Sequence, residues 1–283
     1  MHIKQHWQAI DMTPSPDLPQ PHVLVMAGYG INCEEETRFA FERAGAHATI
    51  VHINDVIDRH VQLGNYQLLA LPGGFSYGDD TGSGKAFASK IKNYVWEEVR
   101  QFIEGDRLVI GICNGFQILT NLGLIPALDG QYGTPQAALV HNEGARYLDR
   151  WVDLQFQGNN PWTQDIGMIS LPIAHGEGKF YAEPGILTAI KAQGLIAARY
   201  TSGEVCAYQH LSVNPNGALE DIAGITDPSG KILGLMPHPE RAMFFTQLPH
   251  WPILRETNRR RGLPCPEEGP GMKLFRNAVA YFQ

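Results

Sequence analysis

Long basic stretches are missing from this sequence. Lysine and arginine number 22 against 29 aspartates and glutamates in 283 residues, a net charge of −7. No stripe of positive charge forms along the chain, which argues against nucleic acid as a partner. The nearest exception, Arg259, Arg260 and Arg261, follows Glu256 and runs into a Pro/Gly-rich stretch, the pattern of a solvated loop or a local contact. Cysteine is sparse as well. Cys33, Cys113, Cys206 and Cys265 lie far apart and form no C-x-x-C pair, and a chain that is 43% hydrophobic has core enough to fold without disulfides. Free thiols in a reducing cytoplasm are the expectation. Also absent are a run of roughly 18 apolar residues that would span a bilayer, a signal-peptide core near the start, internal repeats and low-complexity tracts. The expected protein is soluble, with a loose polar lead-in over 1–20 and one domain over 21–283.

A phosphate-binding loop is missing too, although Gly78 to Lys85 imitates one. Five residues instead of four separate Gly78 from Gly84, and Ala86 stands where Ser or Thr should follow the lysine.

What is present is an alternation of short apolar strands and helices. His22 to Met26, Ala48 to Ile53, Tyr66 to Leu71 and Arg107 to Ile112 read as strands. Cys33 to Ala44 reads as a helix with Phe39, Phe41 and Ala44 inward, Lys85 to Ile103 as one long amphipathic helix, and Gly115 to Leu122 as a short one. This order predicts an α/β fold, a mostly parallel central sheet with helices on both faces. Ligands on such sheets bind in loops after the carboxyl ends of strands. The second half adds strand-like runs at Trp151 to Phe156, Met168 to Ile173, Ile222 to Thr226 and Lys231 to Met236. The last two are separated by the turn Asp227-Pro228-Ser229-Gly230. The stretch from Phe244 to Gly271 reads as irregular, and Met272 to Phe282 as a closing helix.

Three strand ends carry chemistry. Gly111-Ile112-Cys113-Asn114-Gly115 follows a buried strand and opens a helix, the layout of the G-x-S-x-G elbow with cysteine for serine. The glycines make room for a sharp turn that lifts the nucleophile, and the helix N-terminus behind it favours thiolate over thiol. A nucleophilic thiol needs a base, and the base an orienting acceptor. Met236-Pro237-His238-Pro239-Glu240-Arg241 supplies both: the prolines enforce extended backbone, which would turn His238 and Glu240 to the same side. Pro72-Gly73-Gly74-Phe75 offers backbone N–H groups for an oxyanion. The N–H of Gly74 and the N–H of Asn114 are the expected donors. His175-Gly176-Glu177-Gly178-Lys179 has no second ligand at helical metal spacing and reads as a Gly-rich loop near the site; no metal is expected.

Taken together, these segments resemble the class I glutamine amidotransferases, whose fold is flavodoxin-like. More narrowly, Gly73 to Asp79, Gly111 to Thr120, His175 to Phe180, Asn214 to Gly217, Met236 to Arg241 and Glu268 to Asn277 are similar to the glutaminase part of phosphoribosylformylglycinamidine synthases. The resemblance runs from about residue 22 to the end and implies a triad of Cys113, His238 and Glu240. It implies an oxyanion hole at Gly74 and Asn114, and glutamine contacts at Gly73, Phe75, Gln117, Asn142, Arg146 and Tyr147. Asn142 to Tyr147 is similar to that family's Asn-x-Ser-x-Arg-Phe segment, with Gly144 where serine is common. It further implies ammonia delivery to a synthetase subunit, with a small accessory subunit, in purine biosynthesis. No cofactor would belong to this chain; ATP and Mg would belong to the synthetase partner. The residues alone leave open the glutaminase of another synthase, a related cysteine peptidase or γ-glutamyl hydrolase, and a non-catalytic subunit that keeps the elbow for packing.

Overall fold

The computed structural model describes residues 19–80, 82–158 and 160–283. Most of the lead-in over 1–20 therefore lies outside the described residues. In chain order the strands are β1 (His22–Ala27), β2 (His47–His52), β3 (Leu68–Leu71), β4 (Leu108–Ile112), β5 (Ala137–Val140) and β6 (Leu148–Phe156). They continue with β7 (Met168–His175), β8 (Lys179–Ala182), β9 (Ile196–Thr201), β10 (Ile222–Thr226) and β11 (Ile232–Leu235). The helices are α1 (Glu34–Ala44), α2 (Ile53–Ile57), α3 (Lys85–Tyr94), α4 (Trp96–Glu104), α5 (Asn114–Leu122), α6 (Pro184–Ala192), α7 (Glu204–Gln209), α8 (Trp251–Arg260) and α9 (Met272–Ala280).

Nine strands form one sheet in the order β2-β1-β3-β4-β11-β10-β9-β6-β7, and β5 pairs with β8 alone. From β2 to β11 the pairs are parallel, as the apolar runs imply. Of the strands of the second half, β11 joins the sheet parallel to β4, β10, β9, β6 and β7 extend it antiparallel from β11 outward, and β8 pairs only with β5. The central strands β3, β4 and β11 are buried along their whole length, as expected for strands covered on both faces. Helix α1 packs on β1, β2 and α9, with Phe41 edge-on to Phe275 at 4.9 Å, while α5 lies across β3, β4 and β11 beside α3.

Two adjacent parallel strands set up the site. β4 and β11 are in register, Leu235 opposite Ile112, so the segments that follow them emerge side by side. The register is anchored by Asp227, which is fully buried in the turn before β11. Its carboxylate accepts hydrogen bonds from the N–H of Ile232 (2.9 Å), the N–H and hydroxyl of Ser229 (3.1 and 2.6 Å) and the hydroxyl of Tyr132 (2.7 Å).

Three sequence expectations are corrected. Lys85 to Ile103 is not one helix: it breaks at Val95 (φ −135°, ψ 21°) into α3 and α4. Phe87, Ile91, Val95 and Val99 recur every fourth residue, so on a straight helix of about 100° per residue the stripe would drift about 40° per step. The break re-aims Val99 and Phe102 into the core. The stretch from Phe244 to Gly271 is not all irregular, since it contains α8, started by Pro252 in the first turn. That helix is held along its exposed face by Glu256 pairing with Arg259 and Arg260 at 2.7 and 2.8 Å. Phe39 does not face inward; it is exposed, and Thr37 and Ala40 take the buried positions of α1 beside Phe41 and Ala44.

Candidate active site

Cys113 ends β4 and begins α5 in a conformation that L-residues rarely adopt, φ 52° and ψ −106°. Such strain costs of the order of 1–3 kcal/mol and persists only when the surroundings enforce it. The enforcement is visible at the flanking glycines. A Cβ on Gly115 would stand 1.8 Å from the Leu71 carbonyl oxygen, and one on Gly111 would stand 2.5 Å from the Gly115 carbonyl oxygen. The Cys113 N–H donates to the Leu235 carbonyl at 2.8 Å, tying the elbow to β11.

His238 follows β11. Its backbone is extended (φ −101°, ψ 92°), as the prolines imply, and its N–H donates to the Pro172 carbonyl at 2.8 Å. Beyond it the chain departs from the expected extended form: Pro239–Arg241 is a 3-10 turn. The turn still brings the carboxylate back, and Glu240 Oε1 lies 2.5 Å from His238 Nδ1 with both side chains buried. His238 Nε2 and Glu240 Oε2 are buried and have no hydrogen-bond partner among the described residues. Burial works against a charge on His238. The Glu240 carboxylate, followed by Cys113 and Cys33, outweighs it and holds the imidazole pKa well above its ordinary value.

Two thiols therefore face this imidazole. Cys113 lines a cavity of about 440 Å³, while Cys33 does not. The sulfur of Cys33, a His238 ring nitrogen and a Glu240 oxygen all lie within 4.8 Å of one another. Three such donors suit a soft metal ion in principle. Here, however, Nδ1 and the carboxylate engage each other, and Arg241 Nη2 donates to the Cys33 sulfur at 2.9 Å.

The cavity walls are made by the loops expected from the sequence. Gly74 and Phe75 follow β3, Asp79 and Ser83 lead into α3, Gln117 is on α5, Ala145 to Tyr147 precede β6, His175 ends β7, and Gly176 and Glu177 follow it. Gly74 has φ +154°, and a Cβ there would meet the Gly30 carbonyl at 2.5 Å. Among the described residues no acceptor takes the Gly74 N–H, nor the N–H of Asn114 at the first position of α5. The Asn114 side chain accepts from the N–H of Ser76 (3.3 Å) and donates to Gln117 (2.8 Å), bracing the loop that carries Gly74. Phe75 and Tyr147 approach across the mouth, ring centroids 6.1 Å apart.

Three sequence-expected glutamine contacts sit differently. Asn142 does not face the cavity. It is buried, its Nδ2 donates to the carbonyls of Arg146 and His175 (2.8 Å each), and its Oδ1 accepts from the N–H of Gly178 (3.1 Å) and His175 Nδ1 (3.0 Å). All its bonding capacity is used in holding two loops together. Gln117 lines the cavity, but its amide is committed to the Glu177 carbonyl (2.6 Å) and to Asn114. Gly73 lies beneath the site: a Cβ there would meet His238 Cε1 at 2.8 Å and Cys33 Sγ at 3.0 Å. Arg146, Tyr147 and Phe75 do face the cavity.

Sequence reasoning assigned no role to Cys33 or Asp79, and placed His175 and Glu177 only in a Gly-rich loop near the site. Asp79 is partly buried, which raises its pKa, and the Glu177 charge adds to the rise, while a bond from Ser83 opposes both. Ser83 joins the two acids, since its N–H also reaches Glu177 Oε2 at 3.4 Å. Burial, reinforced by His238, pushes His175 down to about 3, so the ring is neutral.

A strained cysteine elbow beside a buried His–Glu pair, at the carboxyl ends of adjacent parallel strands, defines a cysteine-dependent acyl-transfer enzyme on an α/β sheet. The chain matches the CobB/CobQ-like glutamine amidotransferase domain over residues 20–282. Phosphoribosylformylglycinamidine synthase subunit PurQ of Methanococcus maripaludis (strain C7 / ATCC BAA-1331) is 46% identical over 93% of this chain and 97% of that one. The subunit of the same name from Dehalococcoides mccartyi is 39% identical over 91% and 96%. A chain in the structure of PurLQS from Thermotoga maritima superposes with a TM-score of 0.67 at 28% identity, covering 94% of this chain and all of that one. The chain belongs to the CobB/CobQ-like glutamine amidotransferase family and, within it, to the PurQ-type subunits. No helix among the described residues is long and apolar enough to cross a membrane.

Proposed function

We propose that this chain is the glutaminase subunit of a phosphoribosylformylglycinamidine synthase, with Cys113 as its nucleophile. The carrying observation is the placement of Cys113 at the strained elbow inside the cavity, with the His238–Glu240 pair beside it. The sulfur of Cys113, its proton already held by His238 as imidazolium, attacks the side-chain amide carbon of glutamine. The N–H groups of Gly74 and Asn114 receive the oxyanion. His238 protonates the departing ammonia and then takes a proton from water, which cleaves the γ-glutamyl thioester to glutamate. Glu240 holds the proton on Nδ1 throughout, so that Nε2 is the nitrogen that gives and takes the moving proton. Asp79, Glu177 and Arg146 all line the cavity, charges that suit the ammonium and carboxylate of a free amino acid, which a peptide interior lacks.

Ammonia passes to an ATP-dependent synthetase of the PurL type, assembled with a small PurS-type subunit; the similarity to a chain of PurLQS supports this. ATP and Mg act there, and this chain's own residues perform glutamine hydrolysis with no cofactor. The reading includes a cytoplasmic setting, in which the four free cysteines stay reduced, and a domain over 21–283 preceded by an extension over 1–20. The test is glutamate release by the assembled complex given glutamine, a glutamine-containing peptide or a polyglutamate. Release from glutamine alone, lost in Cys113→Ala, is expected. Release from the peptide or polyglutamate instead, or a Cys113→Ala complex as active as wild type, would overturn the proposal.

A further inference from the structure

We propose that Cys33 is a positioning residue for the base: a second thiol, outside the substrate cavity, that holds the His238 imidazole toward Cys113. The inference deepens the proposed function and rests on Cys113 being the nucleophile.

Cys33 is fixed at every level. It sits at the start of α1, where its N–H donates to the Gly73 carbonyl (3.2 Å) and its carbonyl accepts from the N–H and hydroxyl of Thr37 (3.1 and 2.6 Å). Its sulfur is buried, lies 3.3 Å from Asn32 Oδ1 and accepts from Arg241 Nη2 at 2.9 Å. Arg241 is itself held by Glu36 of α1 at 3.6 Å. The sulfur thus reaches His238 as the end of a braced chain, Glu36–Arg241–Cys33. Gly73 explains how it gets there. The space a side chain would fill at Gly73 is bounded by His238 Cε1 at 2.8 Å, Cys33 Sγ at 3.0 Å and Cys113 Cβ at 3.5 Å. Cys33 and Cys113 converge on one imidazole through the gap a glycine leaves.

Other roles for this thiol fit less well. As a nucleophile it lacks both the cavity and the elbow. Burial also raises its pKa, against the lowering effect of its contact with His238. Nor is it cross-linked to Cys113: both thiols are free. As a metal ligand it has the Arg241 cation already on its sulfur.

What remains is control of the ring. The groups facing His238 are Glu240 on its own turn, Cys113 from the start of α5, Cys33 with Arg241 behind it, and His175 and Tyr147 from the cavity side. Glu240 fixes one ring edge. Cys33 stops the rest of the ring from swinging away from the cavity, and its sulfur favours the imidazolium. Without it, the ring moves off Cys113 and loses its proton at lower pH.

The test uses Cys33→Ala and Cys33→Ser in the assembled complex. Steady-state glutaminase kinetics are measured alongside the pH dependence of Cys113 alkylation by iodoacetamide, with the labelled residue located by peptide mass spectrometry. For Cys33→Ala we expect kcat to fall by about tenfold, as a small misplacement of a catalytic group does, with KM within about twofold. The basic limb of the alkylation profile should move down by about one pH unit. Cys33→Ser, which keeps partners for Arg241 and Asn32, should recover most of kcat and part of the limb, and stays informative if the alanine variant fails to fold. A fall in kcat with the limb unmoved would reduce Cys33 to packing and overturn the proposal, as would wild-type behaviour of both variants. Label on Cys33 instead of Cys113 in the wild-type complex would overturn the nucleophile assignment itself, a different failure from the other two.

Discussion

Nδ1 of His238 and Oε1 of Glu240 stand 2.5 Å apart with neither side chain open to solvent. A carboxylate at that distance fixes which ring nitrogen carries the proton. Glu240→Gln keeps the shape and removes the charge, and its amide can present N–H to Nδ1 and reverse the tautomer. By analogy with the loss of the acid in other triads, kcat should fall by about 10²–10⁴-fold with little change in KM. Glutamate release across a glutamine titration measures both.

Gly73→Ala should damage chemistry more than folding. Its Cβ would press on the tip of the His238 ring, 2.8 Å away, and on the Cys33 sulfur, both side-chain atoms and not backbone. A loss of about 10–100-fold in kcat is expected, with a thermal midpoint within a few degrees of wild type by calorimetry.

Gly115→Ala should do the reverse. Its Cβ would stand 1.8 Å from a backbone oxygen of Leu71 in the central sheet, and backbone there cannot yield without displacing β3. A destabilisation of about 3 kcal/mol or more, or failure to express as folded protein, is expected by urea unfolding.

Asn142→Ala removes four hydrogen bonds that join the Ala145–Tyr147 wall to the His175–Gly178 wall. At about 1–3 kcal/mol for each buried group left unpaired, stability should drop measurably. KM for glutamine should rise more than kcat falls, because the loops that shape the cavity loosen while the elbow stays.

Acid should weaken the fold through His175. Its pKa in the folded protein is about 3, against 6.5 for an ordinary histidine. Below about 6.5 the unfolded chain binds a proton here that the folded chain refuses until about 3. Stability is therefore lost as pH falls through that window, by up to about 1.4 kcal/mol per pH unit. His238 has the opposite sign: its raised value adds stability at low pH that disappears as pH climbs through the folded pKa. Urea unfolding at pH 7 and pH 5 should show a larger loss for wild type than for His175→Gln; equal losses would contradict the buried neutral ring.

Much of the site was legible because its chemistry is local in the chain. Gly111, Cys113 and Gly115 announce the elbow within five residues, and Pro237, His238 and Glu240 announce the base within four. The parallel half of the sheet was legible for a similar reason, since strands buried on both faces read as unbroken apolar runs. Other features depend on meetings that spacing does not encode. Cys33 and Arg241 are 208 positions apart and meet only after β1 and β11 have taken their places. Asn142 carries a polar side chain in a loop beside the cavity, and only its satisfied bonds reveal that it braces two loops. The break at Val95 was hidden because a stripe spaced by four looks helical until its drift is followed. Helix α8 was hidden because Pro252 within it and Pro249 and Pro264 around it suggest a loop, and no residue in it is buried enough to declare a core-facing side.

The anchored turn at Asp227 gives the enzyme a ruler. Strand β11 is only four residues long, and His238 comes three positions after its end. Every residue of slippage against β4 would carry the imidazole about 3.3 Å along the sheet and turn it to the opposite face. Lengthening the hairpin at the far end of that strand would therefore be felt at the thiol as an offset, although nothing within reach of glutamine had been altered.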